Sequence, residues 1–269
     1  MELSVIIVNY NGQNYLEKCI DSLFEKLKKI SFEIVILDNN SSDDSCTFIK
    51  DKYPEVILIE SKVNYGFGKG NNKAVEHSKG KYLLLLNNDT IILDDLAPVL
   101  DFYKSEQEIG ILGINMIDEN KKYLPAAGNF PNFLNLLILK KIFKISIEFQ
   151  SGKFSKECYE VDWLGGSFLM VSKNIFTEVK GFDMDYFMYV EDVDLCKKIA
   201  NHQYKRIFLP NFSYIHFVGF DNSKNPMLIK GFEIYIKKHF AGWARIKMQF
   251  AITVNKTVKL IKKRLNLMS

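Results

Sequence analysis

Two acidic stretches carry most of the chemistry this sequence can do. In Lys81-Tyr82-Leu83-Leu84-Leu85-Leu86-Asn87-Asn88-Asp89-Thr90, four leucines stop abruptly at two amides and a carboxylate, with no glycine between. The leucine run has the length and composition of a strand buried on both faces. A carboxylate at the carboxyl end of such a strand suits a hard divalent cation, which can in turn hold a diphosphate. The plain structural alternative is a turn, because Asn and Asp favour turns. The second stretch, Gly181 to Cys196 (GFDMDYFMYVEDVDLC), has five acidic residues between Asp183 and Asp194, interleaved with large aromatics. Glu191 and Asp192 fall where a helix should begin. They serve either as favourable charges in its first turn or, partly desolvated among aromatic rings, in general-base work. Two smaller features stand beside these. A lone His216 in the strand-like run Ser213 to Phe217 is more often structural than a ligand. The pair Gly165-Gly166, within VDWLGGSFLMV (161–171), admits either close approach of a ligand to backbone or a β-bulge.

These side chains need a scaffold, and the rest of the chain supplies one. Leu3 to Val8, Glu33 to Leu37, Val56 to Ile59 and Tyr82 to Leu86 read as strands, with Ile109 to Ile114 as a fifth. Leu16, Ile20, Leu23, Phe24 and Leu27 recur at helical spacing, and Asn14 with Glu17 is placed as a capping box at that helix's start. Asn64 to Asn72 (NYGFGKGNN) is a glycine-rich loop entering another helix. Alternation of strands and helices over the first ~110 residues predicts βαβ units and a mostly parallel sheet, an α/β fold. Polar clusters at Asn9, Asp38 and Asn87 end the first, second and fourth strands. All three therefore fall on one sheet edge, where nucleotides bind in open parallel sheets. The glycine loop matches neither G-x-G-x-x-G after the first strand nor a Walker A loop, which argues against hydride transfer and P-loop ATPase chemistry.

A chain of 269 residues with 47% hydrophobic and 25% charged residues is ordinary globular material for one large α/β domain or two small ones. The net charge of +4 is modest. No nucleic-acid recognition motif is present, and the acidic Asp183–Asp194 region opposes such a partner. Four scattered cysteines without a C-x-x-C pair argue against structural zinc and a disulfide framework and fit a reducing cytosol. The start of the chain lacks signal-peptide features, and no apolar run approaches the ~18–20 residues needed to span a bilayer.

The segments SVIIVNYN, VILDNNSSDDS, NYGFGKGNN, YLLLLNNDT, WLGGSFLMVS and GFDMDYFMYVEDVDLCKK follow in one order over residues 3 to 217. Each is weak alone, but in register they are strong. Together they resemble the inverting nucleotide-sugar glycosyltransferases with the GT-A fold, glycosyltransferase family 2, especially its bacterial rhamnosyltransferase-like branch. The resemblance implies a single Rossmann-like GT-A domain over residues 1–240, with a mostly parallel central sheet flanked by helices. Residues 1–110 would be its nucleotide-sugar-binding half and residues 111–240 its acceptor-binding half. Asp89 would ligate Mn²⁺ or Mg²⁺ and His216 would complete the metal site; Asn87 is neutral, so Asp89 is the only carboxylate of the motif. Asp38 and Asn39 would read the base of a dTDP- or UDP-linked sugar. Val8 and Tyr10 would line the same pocket, to which Asn64, Gly70, Asn87 and Asn88 also belong. Trp163, Gly165 and Gly166 would lie beneath the donor sugar and acceptor. Asp192 would be the catalytic base, with Glu191 beside it.

The activity so implied is metal-dependent, inverting transfer of a sugar such as rhamnose to a hydroxyl of a lipid-linked saccharide, in bacterial surface polysaccharide synthesis. It needs one base and no covalent enzyme intermediate, unlike a retaining glycosidase. Two other readings stay open. A nucleotidyltransferase has a related sheet, although the loop Asn9-Tyr10-Asn11-Gly12 lacks the cation that would hold a triphosphate. A catalytically silent nucleotide- or glycan-binding subunit is motivated by the neutral Asn87.

Residues 241–269 read as a basic amphipathic helix. Phe250, Val254, Val258, Ile261 and Leu265 share one face, and from Lys237 to Ser269 there are nine Lys or Arg and no Asp or Glu. Such a helix lies in an anionic membrane interface or packs on the domain with a solvated basic side. The insert from Phe133 to Ile145 has the same apolar and basic character. A lipid-linked acceptor fits both segments. The expected location is cytoplasmic, peripheral at the inner face of the cytoplasmic membrane.

Overall fold

The leucine run lies between two cores. In the computed structural model, which describes residues 1–217 and 226–264, it forms strand β4 (Tyr82–Asn87), beside β1 (Leu3–Asn9), β2 (Phe32–Asp38) and β3 (Ile57–Glu60). Leu83 and Leu85 belong to the core on one face of the sheet, and Leu84 and Leu86 to the core on the other. Successive side chains on a strand point to opposite faces, so an unbroken apolar run is what a strand buried on both sides requires.

The remaining strands are β5 (Thr90–Ile92), β6 (Ile109–Ile117), β7 (Tyr123–Leu124), β8 (Ala127–Gly128), β9 (Tyr159–Glu160), β10 (Trp163–Leu164), β11 (Phe168–Ser172) and β12 (Lys205–His216). The main sheet runs β3-β2-β1-β4-β11-β6-β12-β5, with β7 on β6 and β9 on β12; β8 and β10 pair separately. Strands β3, β2, β1 and β4 are parallel, as are β6 and β12, while β11 and β5 run against their neighbours. The mostly parallel α/β sheet is thus as expected. Its register pairs Asn9 with Asp38 and Val8 with Asn87, so the polar strand ends do share one edge.

Helices α1 (Gln13–Lys26), α2 (Ser45–Lys52) and α4 (Ala97–Ser105) send Leu16, Ile49 and Val99 into one core. The opposite core takes in the rest: α3 (Phe67–Glu76), α5 (Phe133–Leu137), α6 (Ile147–Ser151), α7 (Lys173–Glu178), α8 (Glu191–Asn201), α9 (Pro226–His239) and α10 (Gly242–Arg264). No helix among the described residues is long and apolar enough to cross a membrane.

One local expectation fails. The Asn14–Glu17 capping box does not form: α1 starts at Gln13 with Gly12 as its cap residue and no side-chain cap bond. The Gln13 amide instead donates to Asp43 Oδ2 at 3.1 Å, and Glu17 pairs with Lys52. A carboxylate from the loop after β2 reaches the helix end before a local side chain is needed there, and that loop lies beside α1 only because β1 and β2 pair.

Candidate active site

The acidic stretch is built onto the glycine-rich loop. Gly66 sits at φ +77°, which favours glycine, and a Cβ there would lie 2.1 Å from the Phe187 carbonyl oxygen. That carbonyl accepts from the Phe67 amide at 2.9 Å. Asn72 closes the other end, donating from Nδ2 to the Phe182 carbonyl at 2.8 Å and accepting from the Phe182 amide at 2.9 Å. Residues 182–187 are therefore pinned to α3 at both ends. The chain then turns through Tyr189 and Val190, both left-handed at φ +73° and +74°, into α8. A β-branched residue in that region is strained, at a cost on the order of 1–3 kcal/mol, and such strain persists only where the surroundings impose it.

This turn delivers Glu191 and Asp192 to a cavity of about 490 Å³. Its lining includes Asn87, Asp89, His216, Trp163, Gly165, Gly166, Glu191 and Asp192, so eight of the residues expected in the site converge there. Asp192 is oriented by backbone amides: Gly166 donates to its Oδ2 at 2.9 Å and Val193 to its Oδ1 at 2.8 Å. Burial raises the Asp192 carboxyl above its ordinary range, against the opposing pull of these amides. Glu191 is also raised, by burial first and then by the neighbouring Asp192 charge. Its Oε2 is buried with no hydrogen-bond partner. Gly165 leads into a turn at Gly166 and Ser167 between β10 and β11 rather than forming a bulge, and Trp163 donates from Nε1 to the Asn129 carbonyl at 2.9 Å.

Across the cavity, His216 Nε2 lies 3.2 Å from Asp89 Oδ1 and 3.3 Å from Asn87 Nδ2. β12 brings His216 opposite Thr90, which is how a residue so distant in sequence meets Asp89. Asp89 Oδ1 and His216 Nδ1 are buried without hydrogen-bond partners. Nε2 thus sits between an amide nitrogen and a carboxylate oxygen, and the unpartnered Asp89 Oδ1 beside it is a ready oxygen donor for a cation. The donor set, one carboxylate and one imidazole, fits a divalent ion that takes its remaining ligands from a diphosphate. Among the described residues no group of three His, Cys, Asp or Glu forms a complete protein cage.

The other expected nucleotide residues lie outside the cavity lining: Val8, Tyr10, Asp38, Asn39 and Asn88 at or just past strand ends, Asn64 in the loop after β3 and Gly70 within α3. Val8, Asn39 and Gly70 adjoin one another, since a Cβ on Gly70 would touch both neighbours. Asn39 is occupied within the chain, accepting from the Tyr65 amide at 2.8 Å and donating to the Gly66 carbonyl at 3.0 Å. Asn64 accepts from the Gly66 amide at 2.9 Å. Asp38 Oδ2 accepts from Asn9 at 2.8 Å and from the Ser41 hydroxyl at 2.6 Å. Asn88 donates to Asn9 Oδ1 at 2.7 Å, and Tyr10 is exposed. Asn9 joins Asp38 to Asn88, and in the sequence only its position at a strand end marks it. Gly66 and Asn72 carry no local signal of their role, because their partners lie more than 100 residues away.

Residues 4–176, well over half of the chain, match the profile of glycosyl transferase family 2. The chain belongs to this family. It is a glycosyltransferase with the GT-A fold, and the nucleotidyltransferase and silent-subunit readings give way. Rhamnosyltransferase WbbL of Escherichia coli K12 is 30% identical to this family 2 enzyme over 256 residues, covering 90% of this chain and 92% of its own. An N-acetylglucosaminyl-diphospho-decaprenol L-rhamnosyltransferase of Mycobacterium tuberculosis is 23% identical over 93% of this chain and 89% of its own. The crystal structure of GalNAc-T7 with UDP, GalNAc and Mn²⁺ superposes with a TM-score of 0.68 at 18% identity, covering 87% of this chain and 48% of that one. This family 2 chain thus spans about half of that larger protein, and the likeness is one of fold.

Proposed function

We propose that the enzyme transfers a sugar, with inversion, from a nucleoside-diphosphate sugar to a hydroxyl of a lipid-linked saccharide in bacterial surface polysaccharide synthesis. The observation that carries the reading is Asp192, amide-oriented and raised in pKa, in one cavity with Asp89 and His216. Rhamnose as the sugar is supported by the two rhamnosyltransferase relatives, and a polyprenyl-diphosphate acceptor by the mycobacterial one; the donor nucleotide would be dTDP or UDP.

In this mechanism Asp192 accepts the proton of the acceptor hydroxyl as that oxygen bonds to the anomeric carbon. The bond from that carbon to the diphosphate oxygen breaks, and the nucleoside diphosphate leaves with the electron pair. Gly166 holds the carboxylate in the orientation that keeps one lone pair toward the cavity. Burial of Asp192 sustains its basicity, and Glu191 stands beside it with its own carboxyl raised by burial and by the Asp192 charge. Trp163 and the glycine turn shape the floor under the sugars. Asp89 and His216 would hold Mn²⁺ or Mg²⁺, which when bound supplies Lewis-acid neutralisation of the diphosphate charge. Asn87 and Asn88 position the nucleotide, and Val8, Tyr10, Asp38, Asn39, Asn64 and Gly70 form its base and ribose pocket along the neighbouring strand ends and the glycine-rich segment that enters α3. The reaction belongs at the cytoplasmic face of the membrane, where such an acceptor presents its saccharide.

The test is Asp192→Asn. Transfer should fall roughly 10²–10⁴-fold, the usual worth of a general base, with nucleotide-sugar affinity unchanged by calorimetry. Wild-type turnover in this variant would remove Asp192 from the chemistry.

A further inference from the structure

Helix α10 meets the domain through one narrow face. Ala251 and Ile252 are buried, and buried Asn255 donates from Nδ2 to the Leu137 carbonyl of α5 at 2.7 Å. This is not the face the apolar periodicity picks out. Trp243, Ile246, Phe250, Val254, Val258 and Ile261 succeed one another at steps of three, four, four, four and three, a single stripe along the helix. Apart from partly covered Val254 the stripe is left exposed, with Trp243 at 85% and Phe250 at 61% of full exposure. Leu265, expected on the same face, lies outside the described residues. On the adjoining insert, Leu134 and Ile138 are exposed as well. A long apolar stripe on an otherwise polar surface marks an interaction site.

Charge selects the occupant. From Lys237 to the end of the chain there are nine cations and no acid. Lys140, Lys141 and Lys144 of the insert are exposed. Lys259 is held below its ordinary range by burial and then by Lys140, so the two basic segments crowd one region. Lys238 and Lys256 do find acids, but on neighbouring elements: Asp183 and Asp185 for the first, Glu233 for the second. A second copy docked stripe to stripe would set cation against cation, with no carboxylate on α10 to answer. An anionic lipid surface satisfies both features at once, taking the apolar stripe below its headgroups and the lysines at its phosphates.

We infer that α10, together with the α5 insert, docks on anionic lipid, lying in the plane of the interface on the Trp243–Ile261 stripe. The docking layer is also a cavity wall, because Leu139, Ile142 and Phe143 of the insert and Leu228 and Phe232 of α9 line the site. Docking therefore sets the cavity beside the lipid, and this orientation rests on the proposed lipid-linked acceptor; the docking itself does not.

The chain has two tryptophans, one exposed (Trp243) and one buried (Trp163, 3% exposed), which makes Trp243 the reporter. Full-length protein is titrated with vesicles of phosphatidylglycerol and phosphatidylcholine, and with phosphatidylcholine alone. Expected are a blue shift and quenching by brominated acyl chains with the anionic vesicles, weakened by salt. The exposed-site variant I246E/F250E, which keeps the reporter, should bind roughly tenfold or more weakly at an unchanged thermal midpoint. No blue shift with anionic vesicles, equal binding by I246E/F250E, or a lipid-free dimer by sedimentation that buries Trp243 would each overturn the inference. No transfer is measured, so failure of the proposed reaction would leave this result standing, and the reverse.

Discussion

Gly231 of α9 approaches Tyr189 so closely that a Cβ on it would lie 2.6 Å from the Tyr189 carbonyl oxygen and 2.8 Å from Val190 Cγ2. These are the two left-handed residues that lead into α8. The same two helices meet again where His239 Nε2 lies 2.7 Å from Oδ1 of buried Asp194. Helix α9 thus braces the strained entry to the helix that carries Asp192. Gly231→Ala should push α9 off that turn, costing about 1–3 kcal/mol of stability as overpacking does. It should lower kcat roughly tenfold or more if Asp192 shifts by even about 1 Å. Urea denaturation and steady-state kinetics check both, and donor affinity by calorimetry should hold.

The pH dependence follows from burial. A base must be unprotonated to act, so with Asp192 raised, activity should be lost as pH falls through a value above the ordinary aspartate one of about 3.9. A kcat/KM profile whose acid limb lies at that ordinary value would contradict the desolvated site.

Stability should run the other way. Glu191 binds its proton more tightly folded than unfolded. Its contribution is fully present below the unfolded value of about 4.3 and is lost as pH rises through the folded one. Glu191→Gln should flatten that decline in a series of chemical denaturations across pH.

The cation site can be read without turnover. Asp89→Ala and His216→Ala should each weaken Mn²⁺ binding in the presence of nucleoside diphosphate roughly tenfold or more, since each removes one of two protein donors. Electron paramagnetic resonance of free Mn²⁺ measures it, and unchanged affinity in both variants would rule out these ligands.

Leu85→Ala should cost about 2–5 kcal/mol, because Leu85 is fully buried in the middle of the sheet and its cavity cannot collapse. Equilibrium unfolding checks this, with nucleotide-sugar binding by the folded fraction retained.

What the sequence determined by itself was local and periodic. The leucine run required a strand with a core on each side, and the polar ends after Val8, Leu37 and Leu86 required one shared edge once the strands were parallel. The order of motifs then singled out Asp89, Asp192 and His216. Tertiary structure decided which distant groups meet. Asp43 took the place of the Asn14 cap, Gly66 and Asn72 proved to hold the acidic loop, and Gly231 proved to brace Tyr189 and Val190. It also decided which face of α10 packs: Ala251 and Asn255 let it approach α5 closely, where the bulky Trp243 and Phe250 stripe would not. Periodicity reports that a face is apolar, but what covers that face depends on side-chain size and on where other elements end, and neither is encoded within a single segment.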